Sequence, residues 1–160
     1  MTKVILRLTP QGIDAAIREI KRNRLEVDKK VQELISVMVA EGEDYAINTV
    51  GHVDTGETLA SIHGYREGNK GVIVAGGAAI WLEFGTGVIR NSERHPKADE
   101  LGMKAWGEYG KGHGKDPNGW YYPDGEGWSH TYGIEANMFM YHTAQYLKQI
   151  FTEKAREVFK

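Results

Sequence analysis

The chain has 160 residues, 41% of them hydrophobic and 26% charged, a length that serves one core and a balance that is globular rather than disordered. Its 20 Lys and Arg stand against 22 Asp and Glu, so a net charge of −2 excludes a general electrostatic pull toward nucleic acid. The absence of cysteine excludes a disulfide framework and any Cys-based zinc site.

In chain order, "KVILRL" has the length and composition of a short strand. Its apolar run is broken by Arg7, too short for a signal-peptide core, and no stretch approaches a membrane span, so a soluble protein made in the cytoplasm is expected. Thr9 then stands as a helix N-cap with Pro10 at the first helical position. Ile13, Ala16, Ile17 and Ile20 recur at helical spacing to about Arg22. Val27, Val31, Leu34, Ile35, Met38, Tyr45 and Ala46 continue the pattern to about Val50. A bend near Asn23 and one unbroken helix both fit. Gly42 weakens the middle by about 1 kcal/mol relative to Ala. The basic residues Arg18, Lys21, Arg22, Arg24, Lys29 and Lys30 are interrupted by acids and read as a solvated helix face.

"TLASIHGYREGNKGVIVAGG" predicts a β-hairpin: a strand starting at Ile62 to Tyr65, a turn at "EGNKG", and the return strand "VIVAGG". "AAIWLEFGTG" follows. Residues 86–133 then change character, rich in Gly, Trp, Tyr and His, and read as a functional or partner-ordered loop insertion. Within it "GWYYP" and "GWSHTYG" can pair across "DGEG". A final helix spans roughly Met138 to Val158, with Phe139, Met140, Thr143, Ala144, Leu147, Ile150, Phe151 and Ala155 on one face.

The order predicts an α+β fold: a long N-terminal helix and a C-terminal helix packed on a small antiparallel sheet, with a long Gly/aromatic loop insertion. As a single domain, 1–160 divides into an N-terminal strand and helix extension (1–24), a helix-plus-hairpin core (25–85), the insertion (86–133) and the C-terminal helix (134–160). Val31, Leu34, Met38, Leu147, Ile150 and Phe151 are expected in the core, where Leu34 or Phe151 truncated to Ala would cost about 2–5 kcal/mol.

Two short signatures invite chemistry. "VDTG" is shared with aspartic proteases, but those need two such aspartates. One copy makes a protease only as a dimer with Asp54 at its axis. The plainer reading has Asp54 or Thr55 capping a new turn, with Glu57 or Thr58 satisfying nearby amides. Glu83 in "WLEFGTG" lies among apolar neighbours and could act as an acid or base, but is better read as accepting amides from a Gly-rich loop. His52, His63, His95, His113, His130 and His142 form no HxH or HExxH spacing. His95, His113 and His130 could converge for a metal-dependent hydrolase, yet surface or interface positions suit them better. Tyr109, Trp120, Tyr121, Tyr122, Trp128 and Tyr132 suit a protein interface more than nucleic acid, given no matching basic patch.

Taken together, the long helix, "VDTGETLASI", the hairpin, "AIWLEFGTG", the insertion and "GIEANMFMYHTA" resemble the tail-completion, or head–tail joining, proteins of long-tailed bacteriophages, the gene-product-ten-like morphogenesis family. The resemblance covers roughly residues 25–158. Asp54, Thr55, Gly56, Leu59, Ser61 and Ile62 match a first family segment, with Thr58 intervening between Glu57 and Leu59. Glu83, Phe84, Gly85 and Thr86 match a second, with Trp81 near its aromatic position; Ala136, Phe139, Met140 and Ala144 match a third. Asn137 and Met138 stand where the family has a proline before the Phe.

The resemblance implies a structural virion-assembly protein of the neck, not an enzyme, with no catalytic residue, cofactor or metal. The expected partners are other neck and tail proteins, namely the tail terminator and the head-completion or connector proteins. It implies a homo-oligomeric ring in the virion, a monomer or weak oligomer when free, DNA passing through without sequence-specific binding, and no membrane. The expected location is the host bacterial cytoplasm during assembly, then the virion neck or tail. Its motif and interface candidates are Asp54, Thr55, Gly56, Glu83, Phe84, Gly85, Thr86, Trp120, Tyr121, Tyr122 and Trp128. Gly85 and Gly87 are expected to turn the chain after a buried Phe84.

Overall fold

A computed structural model describes residues 9–51, 56–85, 95–103 and 119–160, the side chains of Trp120, Tyr122 and Pro123 excepted. The expected strand at "KVILRL" lies outside the described residues. From Thr9 the chain enters α1, Pro10–Thr49, a single unbroken helix about 60 Å long. Thr9 caps it through its hydroxyl, which accepts the Gly12 amide at 3.1 Å, and Pro10 opens the first turn where its missing N–H costs nothing. No bend falls at Asn23, because a single polar residue of ordinary helix propensity does not interrupt the backbone ladder.

After α1 come α2 (Glu57–Ser61), then the antiparallel hairpin β1 (His63–Glu67) and β2 (Lys70–Val74), joined by Gly68 and Asn69. Gly68 takes φ +58, the left-handed conformation such a two-residue turn needs. The hairpin lies flat on α1. Gly64 and Gly71 set their backbones against Val39 and Ile35, and the Gly64 amide donates to Glu43 Oε2 at 2.9 Å. A short helix α3, Ala79–Phe84, follows; its six residues are too few for a periodicity signal.

Part of the insertion is built structure. Residues 95–103 fold as turns with His95 and Ala98 buried, and a second hairpin pairs β3 (Trp120–Pro123) with β4 (Trp128–Thr131). Asp124 holds its turn by accepting the Glu126 and Gly127 amides and the Ser129 hydroxyl, and these bonds, Ser129 first, hold its carboxyl below the usual range. The chain ends in α4, Phe139–Val158.

Helix α4 runs antiparallel to the second half of α1. Tyr45 stacks on Tyr146 with ring centroids 4.3 Å apart, Glu41 pairs with both Tyr146 and Lys154, and Lys30 lies over the Phe159 ring. Gly42 sits where three elements meet. A methyl there would lie 2.3 Å from the Ile73 tip and 2.9 Å from the Leu147 tip, so the glycine that weakens the helix lets the hairpin and α4 close on it.

The buried core gathers Ala46, Val50, Ile62, Ala79, Leu82 and Phe139. It sits lower in the molecule than expected. Leu34 is buried, but Val31, Met38, Leu147 and Ile150 are only half-buried and Phe151 is 51% exposed. The reason is an open groove of about 830 Å³ between α1, the first hairpin and α4, which Val31, Leu34, Met38, Leu147 and Phe151 line without filling. Among the described residues no helix is long and apolar enough to cross a membrane.

Candidate functional site

Of the residues singled out in the sequence, Glu83 and Gly85 meet the start of α4. That helix opens without a side-chain cap of its own: its N-cap residue is Met138, which adopts φ 57, a conformation uncommon for a residue with a Cβ. The free amides of the first turn therefore need an outside acceptor, and Glu83 on α3 supplies it. Its Oε2 accepts the Met140 amide at 2.8 Å and its Oε1 accepts the Tyr141 amide at 2.9 Å. The expectation that Glu83 accepts backbone amides holds. The donors come from the first turn of a distant helix rather than from a Gly-rich loop.

His95 completes the arrangement. The Lys97 amide donates to its Nδ1 at 3.0 Å, so the ring proton sits on Nε2 and is donated to Glu83 Oε1 at 2.9 Å. The ring packs against Phe84 and edge-on to Tyr141, with centroids 4.4 and 5.4 Å away. His95 is thus buried, not a surface or interface histidine. Neither ring nitrogen keeps a lone pair for a metal. His113 lies outside the described residues, and among those described no three His, Asp or Glu side chains form a metal-binding cluster. Glu83, 7% exposed, uses three acceptor positions on protein donors. Chemically the arrangement is a buried staple fixing the entry to α4.

Gly85 makes the staple possible. It adopts φ +79 and lies against the backbone of Ile134 to Ala136, while the Asn137 amide donates to the Leu82 carbonyl at 2.7 Å. Phe84, expected buried, is half-buried; its neighbours Leu82 and Glu83 take the interior positions because they face Phe139 and the α4 amides. Thr86 and Gly87 lie outside the described residues.

The first segment joins the same core through Ile62 and through Ser61. The Ser61 hydroxyl donates to the Thr58 carbonyl at 2.6 Å and accepts the Gly76 amide at 2.8 Å, tying α2 to the turn after β2. The N-cap position of α2 belongs to Gly56, with φ 69 and no side-chain cap bond. Asp54 and Thr55, expected to cap this turn, lie outside the described residues.

The aromatic candidates Trp120, Tyr121, Tyr122 and Trp128 occupy the second hairpin, away from this core, and Tyr109 lies outside the described residues. Tyr121 and Trp128 are 66% and 72% exposed. Tyr121, His130 and Tyr132 form an edge-to-face array with centroids 4.8 Å apart at each step. Trp120 and Tyr122 stand opposite Thr131 and Ser129 in the ladder. Missed in the sequence were the pairing of Glu83 with His95 and the Glu41–Tyr146–Lys154 cluster; neither has a local spacing that could announce it. Compared with protein-family models, curated proteins and solved structures, the chain finds no match in any of the three.

Proposed function

We propose that the chain is a structural morphogenesis protein of a bacteriophage neck, a tail-completion or head–tail joining subunit that acts within a ring and has no catalytic role. One observation carries this reading. The three segments behind the resemblance, far apart in sequence, meet in a single core: Ile62 from the first, Leu82 with Glu83 and Gly85 from the second, Phe139 and Met140 from the third. Residues that share a packing problem constrain one another, which is what a family pattern records.

The exposed aromatic face of the second hairpin supports the partner side of the proposal. Tyr121, Trp128 and Tyr132 offer rigid, amphipathic anchors of the kind that dominate protein interfaces. The tail terminator and the head-completion or connector proteins are the partners proposed for it. DNA passes the subunit without base-specific contact.

The test is genetic and visual. Removing this coding sequence from the phage or prophage that carries it should leave filled heads and finished tails unjoined in electron micrographs. A Tyr121→Ser, Trp128→Ser chain should fold with an unchanged melting temperature yet fail to restore joining. Intact infectious particles without the chain would overturn the proposal.

A further inference from the structure

Helix α1 carries one straight apolar stripe whose two halves are dressed differently. Alternating steps of four and three residues link Ile13, Ile17 and Ile20 through Arg24 and Val27 to Val31, Leu34 and Met38, a heptad pattern running the length of the helix. Over the second half, α4 and the hairpin stand on either side, so Val31, Leu34 and Met38 form the floor of the apolar groove, with Leu147, Phe151 and Ile73 in its walls. Over the first half the stripe is open: Ile13, Ile17 and Ile20 are 43%, 45% and 56% exposed. The molecule thus holds an unfilled groove and an unburied helical ridge of matching chemistry. One unbroken rod cannot fold its first half over its second, so this ridge can reach such a groove only in another copy.

We propose that the groove is filled by the first half of α1 from a second copy of this chain, and that the two copies pair antiparallel, each lending its ridge to the other's groove. The stripe sets the register. With the rods antiparallel, Ile13, Ile17 and Ile20 of one copy lie over Met38, Leu34 and Val31 of the second, and the exchange is repeated by symmetry. Charge selects the same register. Lys21 and Asp28 flank the stripe on one side, seven residues apart, and neither makes an ion pair with the described residues. In this register Lys21 of each copy faces Asp28 of the other, giving two opposite-charge pairs. A slip of one heptad toward the N-termini sets Lys21 against Lys21 and Asp14 against Asp28. A parallel pair stacks Arg24 on Arg24 inside the seam. Both alternatives set like charges together.

A two-fold pair uses the same surface on both partners and closes on itself, so it does not grow. It stands independently of any role in a phage neck. If the chain works in a ring, the pair is the free form, and its ridges and grooves are released on assembly.

Sedimentation equilibrium of the full chain, from about 1 to 500 μM, tests this. The mass should rise from one 17.9 kDa chain toward two and stop there. Ile17→Glu should stay monomeric throughout with an unchanged helical circular-dichroism spectrum. Lys21→Asp should weaken pairing about tenfold, and Lys21→Asp with Asp28→Lys should restore it. The chain has no cysteine, so Ile13→Cys with Met38→Cys gives a clean register check. These positions are about 37 Å apart along one rod, and an oxidised cross-link between them can form only across two copies. A wild-type chain that stays monomeric at the top concentration, growth beyond two, pairing unaffected by Ile17→Glu, no recovery in the charge swap, or no Ile13–Met38 cross-link would each overturn it.

Discussion

A methyl group added at Gly85 would sit 2.9 Å from the Ile134 carbonyl oxygen and 3.1 Å from the Ala136 amide nitrogen, with the backbone already at φ +79. Both obstacles are main-chain atoms, which cannot swing aside as a side-chain tip can. Gly85→Ala therefore combines left-handed strain of about 1–3 kcal/mol with overpacking of similar size, and the melting temperature should fall sharply. Gly42→Ala offers the contrast: its obstacles are the tips of Ile73 and Leu147, so rotamer shifts relieve much of the clash. At Glu83 the two carboxylate oxygens serve three donors, and Glu83→Gln replaces one acceptor with an NH₂ group. One buried amide or the imidazole N–H then loses its partner, for a loss of about 1–3 kcal/mol by chemical denaturation. A Glu83→Gln chain as stable as the parent would show that the staple contributes nothing.

Helices α1 and α4 are joined by packing and by one polar cluster that is sensitive to pH. Hydrogen bonds from Lys154 and then Tyr146 hold the Glu41 carboxyl below its ordinary value of 4.5, and the bond to Glu41 raises Lys154 above 10.5. Glu41 thus adds stability above pH 4.5 that is lost as the pH falls through its lowered value. Lys154 adds stability below pH 10.5 that is lost as the pH rises through its raised one. Thermal melts across pH should show an acid limb that flattens in Glu41→Gln; an unchanged limb would remove the cluster from the seam. Elements of this kind differ in how far they were legible. The Thr9–Pro10 start of α1, the turn at Gly68–Asn69 and the face of α4 are announced by neighbouring residues, because caps, turns and periodicity are local. The bonds from Met140 and Tyr141 to Glu83 span 57 and 58 positions, and no local pattern encodes them. Asn23 suggested a bend for want of any local sign that the helix runs straight past it.

Among the described residues the buried cluster gathers at the C-terminal end of α1. Phe139 of α4, fully buried, shares its cluster with Ala46 of α1, Ala79 and Leu82 of α3, and the cap residues Val50 and Ile62. Phe139→Ala should cost about 3–5 kcal/mol, whereas Phe151→Ala, at the half-open groove, should cost the isolated chain under about 1 kcal/mol. Comparable losses at both sites, read from urea midpoints, would place the core elsewhere. This asymmetry has a mechanical side. Roughly half of α1, about 30 Å, extends beyond the portion that α4 covers, while its other end is clamped by the Tyr45–Tyr146 stack and the core. A stiff rod turns angle into distance: a tilt of about 10° at the clamp sweeps its tip through about 5 Å. Any repacking around Phe139 that tilted α1 would therefore be magnified into displacement at Ile13, because the continuous helix offers no hinge between.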